Sequence, residues 1–469
     1  MSITVCLVSP PWTGRQSSLW ERLEGKSIPF GLGYLAAVLE TYTRCSVTII
    51  DSKADGLTVK ETADAICDLS PQIVGIGTYT YDYTGGLTLA QTLKENDSHL
   101  SICFGGIHCS IFPEQTLSHP SVDFVIRGEG EYTLLEFVQE KPKNTIKGLS
   151  FKERGKIIHS PERPLISKLD SLPFLSYHLL SLEKYSPTAG QCRRTPAISM
   201  KVSRGCPHDC IFCSSSIGGR SVRRFSPARI CHEIQYLVES YGVREIVFMD
   251  DTMTYPREQM ISLCDALIDK NFDLIWDCST RVTAVDESLL SSMKEAGCNQ
   301  ISFGIESGDD AVLTSIRKGH TTRQVRKAVK MAHEVGLEVR GSFMIGFPED
   351  TEESILRTIQ FSQELDLDLA SFYIATPYPG TEMFRWASEN ERLLTEEWSL
   401  FDQSHCVMDI PHVSPEDVFD FYRRAWKSFY LRPRYLAKRL ITLRSLYDIK
   451  SAFRAVRAVA SVMKMAGAD

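Results

Sequence analysis

Three cysteines stand close together in a chain whose other eleven are scattered. Cys206, Cys210 and Cys213 form a C-x3-C-x2-C run within Ser203-Arg204-Gly205-Cys206-Pro207-His208-Asp209-Cys210-Ile211-Phe212-Cys213. Thiolates ligate iron–sulfur clusters, and a four-iron cluster held only by cysteine takes four of them. Three thiolates with no fourth cysteine nearby leave one iron open, and an open metal position is the mark of a catalytic site, a closed shell of a structural one. A structural zinc site needs a second Cys or Cys/His pair at a suitable distance. Cys231 with His232, on a predicted helix, is poorly placed to supply it.

At these residues the chain resembles the radical S-adenosylmethionine enzymes, and specifically their cobalamin-binding branch. The resemblance implies that the three-cysteine loop holds a [4Fe–4S] cluster whose open iron chelates the amino and carboxylate groups of S-adenosylmethionine. It also implies that Phe212, before the third cysteine, lies near the adenine. The resemblance runs over nearly the whole chain.

Composition narrows the class. The chain of 469 residues is long enough for about two or three domains, and 43% hydrophobic with 24% charged residues is ordinary for a globular protein. A formal charge of −7 does not suggest a general nucleic-acid binder. The N-terminus lacks the basic start of a secretory signal and reads as a strand followed by a turn, and no apolar run has the length of a membrane span. The expected location is therefore the cytoplasm, with thiols kept reduced. An exposed cluster would make the protein oxygen-sensitive.

The elements that position these groups fall into four stretches. Residues 1–140 alternate strand and helix, with β-branched or apolar runs at 3–8, 47–51, 73–77, 102–105 and 124–127. Such alternation predicts a doubly wound, flavodoxin-like parallel sheet with ligands beyond the strands' carboxyl ends. Past those ends lie Pro10, Lys53, Thr78, Tyr79, the Gly105-Gly106-Ile107-His108 loop and Gly128-Glu129. Glycine recurs there, as close backbone approach requires. By the resemblance this is the cobalamin-binding domain, and Pro10, Lys53, Thr78, Tyr79, Gly105, Gly106, Ile107, Gly128 and Glu129 are its candidate contacts. Where histidine-ligating cobalamin proteins carry D-x-H-x-x-G, this chain reads Asp51-Ser52-Lys53-Ala54-Asp55-Gly56. Protonated lysine is a poor metal ligand, so the expectation is cobalamin with no histidine beneath the cobalt, and Lys53 reads equally as a solvated loop residue. His108 reads as a cofactor neighbour or a hydrogen-bonded bystander.

Residues 141–193 read as a linker with a small hairpin. From 194 to 412 the alternation resumes with six strands, at 197–202, 245–249, 274–278, 300–304, 338–344 and 370–375, predicting a partial (β/α)6 barrel. In barrels of parallel strands the chemistry sits at the strands' C-terminal ends. There stand Asp250-Asp251, Arg281, Gly304-Ile305-Glu306-Ser307-Gly308, Gly346 and Thr376-Pro377-Tyr378-Pro379-Gly380-Thr381. The resemblance puts one of Asp250 and Asp251 near the methionine amino group, Arg281 at a recurrent arginine position, Glu306 and Ser307 beside S-adenosylmethionine, Gly346 near the adenine, and Tyr378 on a candidate lid over substrate. Plain alternatives are a helix cap for the aspartates, a surface salt bridge for Arg281 and core packing for Tyr378. Residues 413–469 read as helical and basic. From Phe421 onward there are twelve Lys/Arg against two acids, Asp448 and Asp469. This segment reads as a solvated helix covering the barrel or as a peripheral membrane contact.

The resemblance implies a cobalamin-dependent radical enzyme that takes a hydrogen atom from an unactivated carbon of a small molecule through a 5′-deoxyadenosyl radical and delivers a methyl group from methylcobalamin. An external one-electron donor such as a flavodoxin or ferredoxin is implied. The alternatives are oxidative cyclisation or rearrangement with the same parts, and a noncatalytic cobalamin sensor with a structural cluster.

Overall fold

The computed structural model describes residues 3–13, 25–185, 192–214 and 218–442, with side chains to residue 437. The chain divides into two compact units. One comprises Met1–Ser17, Lys26–Tyr185 and Glu397–Ser399; the other comprises Ser18–Gly25, Ser186–Glu396 and Leu400–Asp469.

The first unit is built on a seven-stranded sheet: β1 (Thr4–Ser9), β2 (Ser46–Asp51), β3 (Ile73–Gly77), β4 (Ser101–Gly105), β5 (Phe124–Ile126), β6 (Leu149–Glu153) and β7 (Lys156–His159), in the order 2-1-3-4-5-6-7. Strands β1 to β5 are parallel, as the alternation predicts. Their runs of Val, Ile and Leu are buried, because helices cover a parallel sheet on both faces. Val8, Val74, Ile76, Leu89, Leu93, Ile102, Phe104 and Val125 pack into one core. The hairpin β6–β7, read in the sequence as part of a linker, adds to the edge of this sheet as two antiparallel strands. Its inward residues Leu149 and Phe151 are 0% and 3% exposed, so burial claims the hairpin for the sheet. The connector continues into the same unit as far as Tyr185.

The order 2-1-3 fixes the functional edge. The chain leaves β1 to one side for β2 and returns to the other side for β3, so the connections diverge beyond the carboxyl ends of β1 and β3 and leave a crevice there.

The second unit carries six parallel strands, β8 (Ala197–Met200), β11 (Glu245–Phe248), β12 (Ile275–Thr280), β13 (Cys298–Glu306), β14 (Glu338–Ile345) and β15 (Leu369–Ile374), side by side in chain order. A two-stranded ribbon, β9 (Ser203–Arg204) with β10 (Arg223–Arg224), flanks the cysteine loop. The intervening helices begin where their caps dictate. Ser226 accepts from the Arg229 N–H ahead of the Pro227–Tyr241 helix, and Thr321 and Thr351 form capping boxes. The helix Pro415–Tyr430 buries Val418, Phe419, Tyr422 and Phe429 and covers the free edge of β15. There the Ala370 N–H donates to the Tyr430 hydroxyl at 3.2 Å, and that hydroxyl donates to Ala370 O at 2.5 Å. The start of the basic C-terminal segment, whose membrane reading spans residues 421–469, is thus a packed helix; residues 443–469 of that segment lie outside the described residues. Among the described residues no helix is long and apolar enough to cross a membrane.

Candidate functional site

The cysteine loop begins just past β8 and is braced along its length. Gly205 has φ +92, and a Cβ there would lie 2.4 Å from Ser221 O, so glycine alone lets the chain enter. The Cys206 N–H donates to Gly219 O at 3.0 Å. Ile211 is gripped from both sides, its N–H donating to Ile316 O at 3.3 Å and its carbonyl accepting from the Met383 N–H at 2.9 Å. Arg317 pairs with Asp209 at 3.2 Å and with Glu382 at 2.7 Å, tying the loop to the segments after β13 and β15.

The three sulfurs share one electrostatic environment. Burial pushes the Cys206 thiol pKa up, and the nearby Cys213, Asp251 and Cys210 add to that shift. Arg281, one residue past β12 and only 7% exposed, directs Nη1 at Cys210 Sγ from 3.4 Å, which sets a buried cation against the thiol loop. That burial removes the surface-salt-bridge alternative for Arg281. All fourteen cysteines are free thiols. Among the described residues no three His, Cys, Asp or Glu side chains are grouped around a single-ion position. Cys231 is buried inside its helix while His232 faces solvent, so that pair offers no zinc site. A three-thiol loop with a cationic neighbour fits a cluster carrying negative charge.

The remaining residues of the strand ends take distinct positions. Asp250 is 3% exposed and accepts from the Val202 N–H and the Ser203 hydroxyl, so it braces the entry to the cysteine loop. Burial raises its pKa, against the pull of Arg224. Asp251 is the exposed member of the pair, 3.9 Å from Lys201. Glu306 ends β13 at φ +66, beside a register shift against β14, and its carboxylate accepts from Lys318 Nζ at 2.7 Å. Lys318 was not singled out in the sequence. It lies twelve residues beyond Glu306 in a loop, and only the fold brings its ammonium back to the strand end, 5.9 Å from the Phe212 ring centre. Gly304 makes room for it, because a Cβ there would lie 2.8 Å from Lys318 Nζ.

Ser307 is 1% exposed, its hydroxyl 3.0 Å from that of Thr358, so it is turned toward the helix Glu352–Glu364. Phe212 packs on Phe347 with ring centres 5.4 Å apart. Gly346 has φ +94, and its N–H with that of Phe347 is held by Asp350. Burial pushes the Asp350 pKa up to about 6. Tyr378 is half-buried, and its carbonyl accepts from Thr381, which caps the next helix.

At the strand ends of the first unit, Gly106 has φ +107 and a Cβ on it would stand 2.1 Å from Thr78 O, so the Gly105-Gly106 turn passes tightly over the end of β3. Gly128 has φ +72, with open space where a side chain would be. Ile107 opens a short helix whose next residue, His108, is fully buried, 4.1 Å from the Tyr83 ring and 5.0 Å from Trp398. Burial drives the His108 pKa down to about 4. Thr78, just past β3, and Pro10, just past β1, are buried, and Tyr79 is exposed. Glu129 accepts from the Ile166 N–H at 2.6 Å and so anchors the connector. Lys53 is not a solvated residue: its ammonium is paired with Asp82 at 2.5 Å. Side-chain-free backbone at Gly106 and Gly128, with an exposed ring at Tyr79 after the neighbouring strand end, suits the flat, amide-fringed body of a corrin.

One unit carries a doubly wound sheet with a glycine-lined edge, and the other carries an open barrel with a three-thiol loop at its strand ends, the parts of a cofactor-binding α/β protein. Residues 200–362 match the Radical SAM superfamily and residues 19–138 match the B12 binding domain. An uncharacterized methyltransferase of Pyrococcus horikoshii is 38% identical over 440 residues, covering 92% of this chain and 94% of that protein. An anaerobic magnesium-protoporphyrin IX monomethyl ester cyclase of Rubrivivax gelatinosus is 27% identical over 374 residues, covering 77% and 67%. The fold matches the cobalamin-dependent S-adenosylmethionine radical enzyme OxsB, solved with aqua-cobalamin and S-adenosylmethionine bound, at a TM-score of 0.75 and 17% identity over 98% of this chain and 72% of that one. The chain belongs to the cobalamin-binding radical S-adenosylmethionine family of methyltransferase-like enzymes, whose cofactors are a [4Fe–4S] cluster, S-adenosylmethionine and cobalamin.

Proposed function

We propose that this protein methylates an unactivated carbon of a small molecule. The observation that carries the reading is the braced three-thiol loop with Arg281 on Cys210, in a chain that also holds a glycine-lined sheet edge. Cys206, Cys210 and Cys213 hold the cluster. Asp251, with its carboxylate outward, takes the methionine ammonium, while Asp250 keeps the loop entry in place. Arg281 and Lys318 set the positive field in which a carboxylate and a thiolate-bound cluster coexist, and Glu306 holds Lys318 in position. Phe212 and the Gly346 backbone border the adenine, and Tyr378 borders the substrate. When bound, the cofactors supply one-electron cleavage of a sulfonium and a methyl group for transfer. Methyl transfer is preferred over cyclisation because the methyltransferase relative is both more similar and matched over nearly its full length.

The test needs no known substrate. The protein is purified without oxygen, its cluster rebuilt, and cobalamin, reductant and S-adenosylmethionine added. The expected products are S-adenosylhomocysteine with a methylated corrin. Deoxyadenosine with an unmethylated corrin would instead indicate cyclisation or rearrangement, and cobalamin bound with neither product would indicate a sensor.

A further inference from the structure

Ser110 lies in the short helix Ile107–Ile111 that follows β4. Its hydroxyl donates to Gly106 O at 2.8 Å and accepts from the Gly128 N–H at 2.9 Å. One oxygen therefore ties the turn after β4 to the turn after β5. The tie continues to the next strand end, where the Thr78 N–H, just past β3, donates to Gly105 O at 2.9 Å. Three adjacent strand ends of the first unit are joined in this way along the carboxyl edge of the sheet.

The two turns differ in how firmly they are otherwise held. Gly106 stands at φ +107, pressed against Thr78 O, and its carbonyl also accepts from the Ser110 N–H at 3.1 Å. Gly128, at φ +72, has open space where a side chain would be. Its neighbours are drawn the other way: the Arg127 N–H donates to Gly148 O at 2.8 Å, and Glu129 accepts from the Ile166 N–H at 2.6 Å. Gly128 is thus the freer backbone, and the Ser110 hydroxyl draws it to the turn after β4.

We propose that Ser110 is a positioning residue for the corrin, its hydroxyl setting the separation of the two side-chain-free turns so that the cofactor meets backbone already in place. The inference rests on the cobalamin-binding reading above. Both glycines are exposed, so water replaces the lost hydrogen bond when the hydroxyl is removed, and the fold loses little. The spacing has no such substitute, because a water molecule satisfies the Gly128 N–H without fixing where it stands. Removing the hydroxyl therefore lowers cofactor affinity by undoing preorganisation while stability holds, two quantities that a purely structural residue would move together.

Two measurements on the full chain test this without turnover. Hydrogen exchange read by mass spectrometry on the cofactor-free protein reports the tie itself: the segment containing the Gly128 amide should exchange about threefold to tenfold faster in Ser110→Ala than in wild type, the factor one ordinary hydrogen bond supplies. Equilibrium titration with hydroxocobalamin, followed by corrin absorbance, should show Kd raised by the same factor. Ser110→Thr, which keeps the hydroxyl, should restore both. Ile102→Val trims a buried side chain near the opposite end of β4 and is the stability control: its thermal midpoint should fall at least as far as that of Ser110→Ala, with wild-type corrin affinity. Unchanged exchange at Gly128, or unchanged corrin affinity, in Ser110→Ala would overturn the inference. So would a folded Ser110→Thr no better than Ser110→Ala, or an Ile102→Val that loses corrin equally, since general loosening would then be the cause. A wild-type chain that binds no corrin is a distinct result: it sinks the cobalamin-binding reading and this inference with it, even where the exchange difference appears.

Discussion

Removing the Lys318 ammonium while leaving Glu306 in place should destabilise the barrel far more than loss of an ordinary ion pair. Both side chains are 8% exposed and meet at 2.7 Å. Exposed pairs contribute about 0–1 kcal/mol. Deleting one partner of a buried pair costs about 3–5 kcal/mol, because the charge left behind keeps its desolvation penalty and loses its compensation. Lys318→Met keeps most of the stem and removes only the charge, so a cost of about 3–5 kcal/mol is expected, with little of it from lost packing. Adding Glu306→Gln removes the stranded charge and leaves an amide short of a partner, a cost of about 1–3 kcal/mol. The double variant should therefore be the more stable of the two. Urea unfolding followed by circular dichroism, closed as a double-mutant cycle with Glu306→Gln alone, measures the coupling. A cost below about 1 kcal/mol for Lys318→Met, or a double variant no better than the single, would refute the claim that this pair is a buried charge couple.

Alanine at any one of Cys206, Cys210 and Cys213 should abolish the visible absorbance of the rebuilt cluster and bring iron and sulfide close to background, since a cluster with one ligand fewer is poorly held. The two aspartates should separate cleanly. Asp250→Asn, which weakens the acceptor for Val202 and Ser203, should cost about 1–3 kcal/mol in unfolding, whereas Asp251→Asn should change stability by no more than about 0.5 kcal/mol yet weaken S-adenosylmethionine binding in calorimetry. Gly106→Ala places a methyl 2.1 Å from Thr78 O at φ +107, so it should lose corrin retention on desalting and cost roughly 1–3 kcal/mol or more. His108 makes the first unit acid-sensitive. Its pKa falls from 6.5 to about 4 on folding, so the unfolded chain takes up the proton first and stability drops as pH falls from 6.5 toward 4. The full loss is roughly 3 kcal/mol at 1.36 kcal/mol per unit, and a folded His108→Phe variant should show a flatter pH dependence of its thermal midpoint.

The strands were readable because their apolar runs are short, β-branched and bounded by turn residues. Those of the first unit's parallel core and of the barrel fall within a few residues of their expected places, and β12 extends to Thr280 where the reading stopped at Cys278. The hairpin was read as a hairpin but assigned to the connector, because nothing local in Leu149–Glu153 says that Phe124–Ile126 is its partner. Antiparallel pairing at an edge is a long-range choice made by burial of Leu149 and Phe151. Around the cysteine loop, Arg281 was legible from its place after a strand. Lys318 was not, for its loop carries no signal of the return to Glu306. Tyr81 and Asp82 belong to the strand-end stretch 78–82 legible in the sequence, and Trp12 lies just beyond Pro11, but only the stacking of the rings and the grip of Asp82 on Lys53 set these three apart.

The sequence by itself determined the kind of chemistry: the thiol spacing, the glycine turns and the alternation of elements follow local rules that hold wherever the chain is placed. Tertiary structure decided which of several similar residues is available. It spent Asp250 on backbone and left Asp251 outward, turned Ser307 toward Thr358, and made Lys53 an ammonium fastened to a buried carboxylate. Burial and charge pairing are sums over neighbours brought together from distant parts of the chain, and no local pattern of residues contains them.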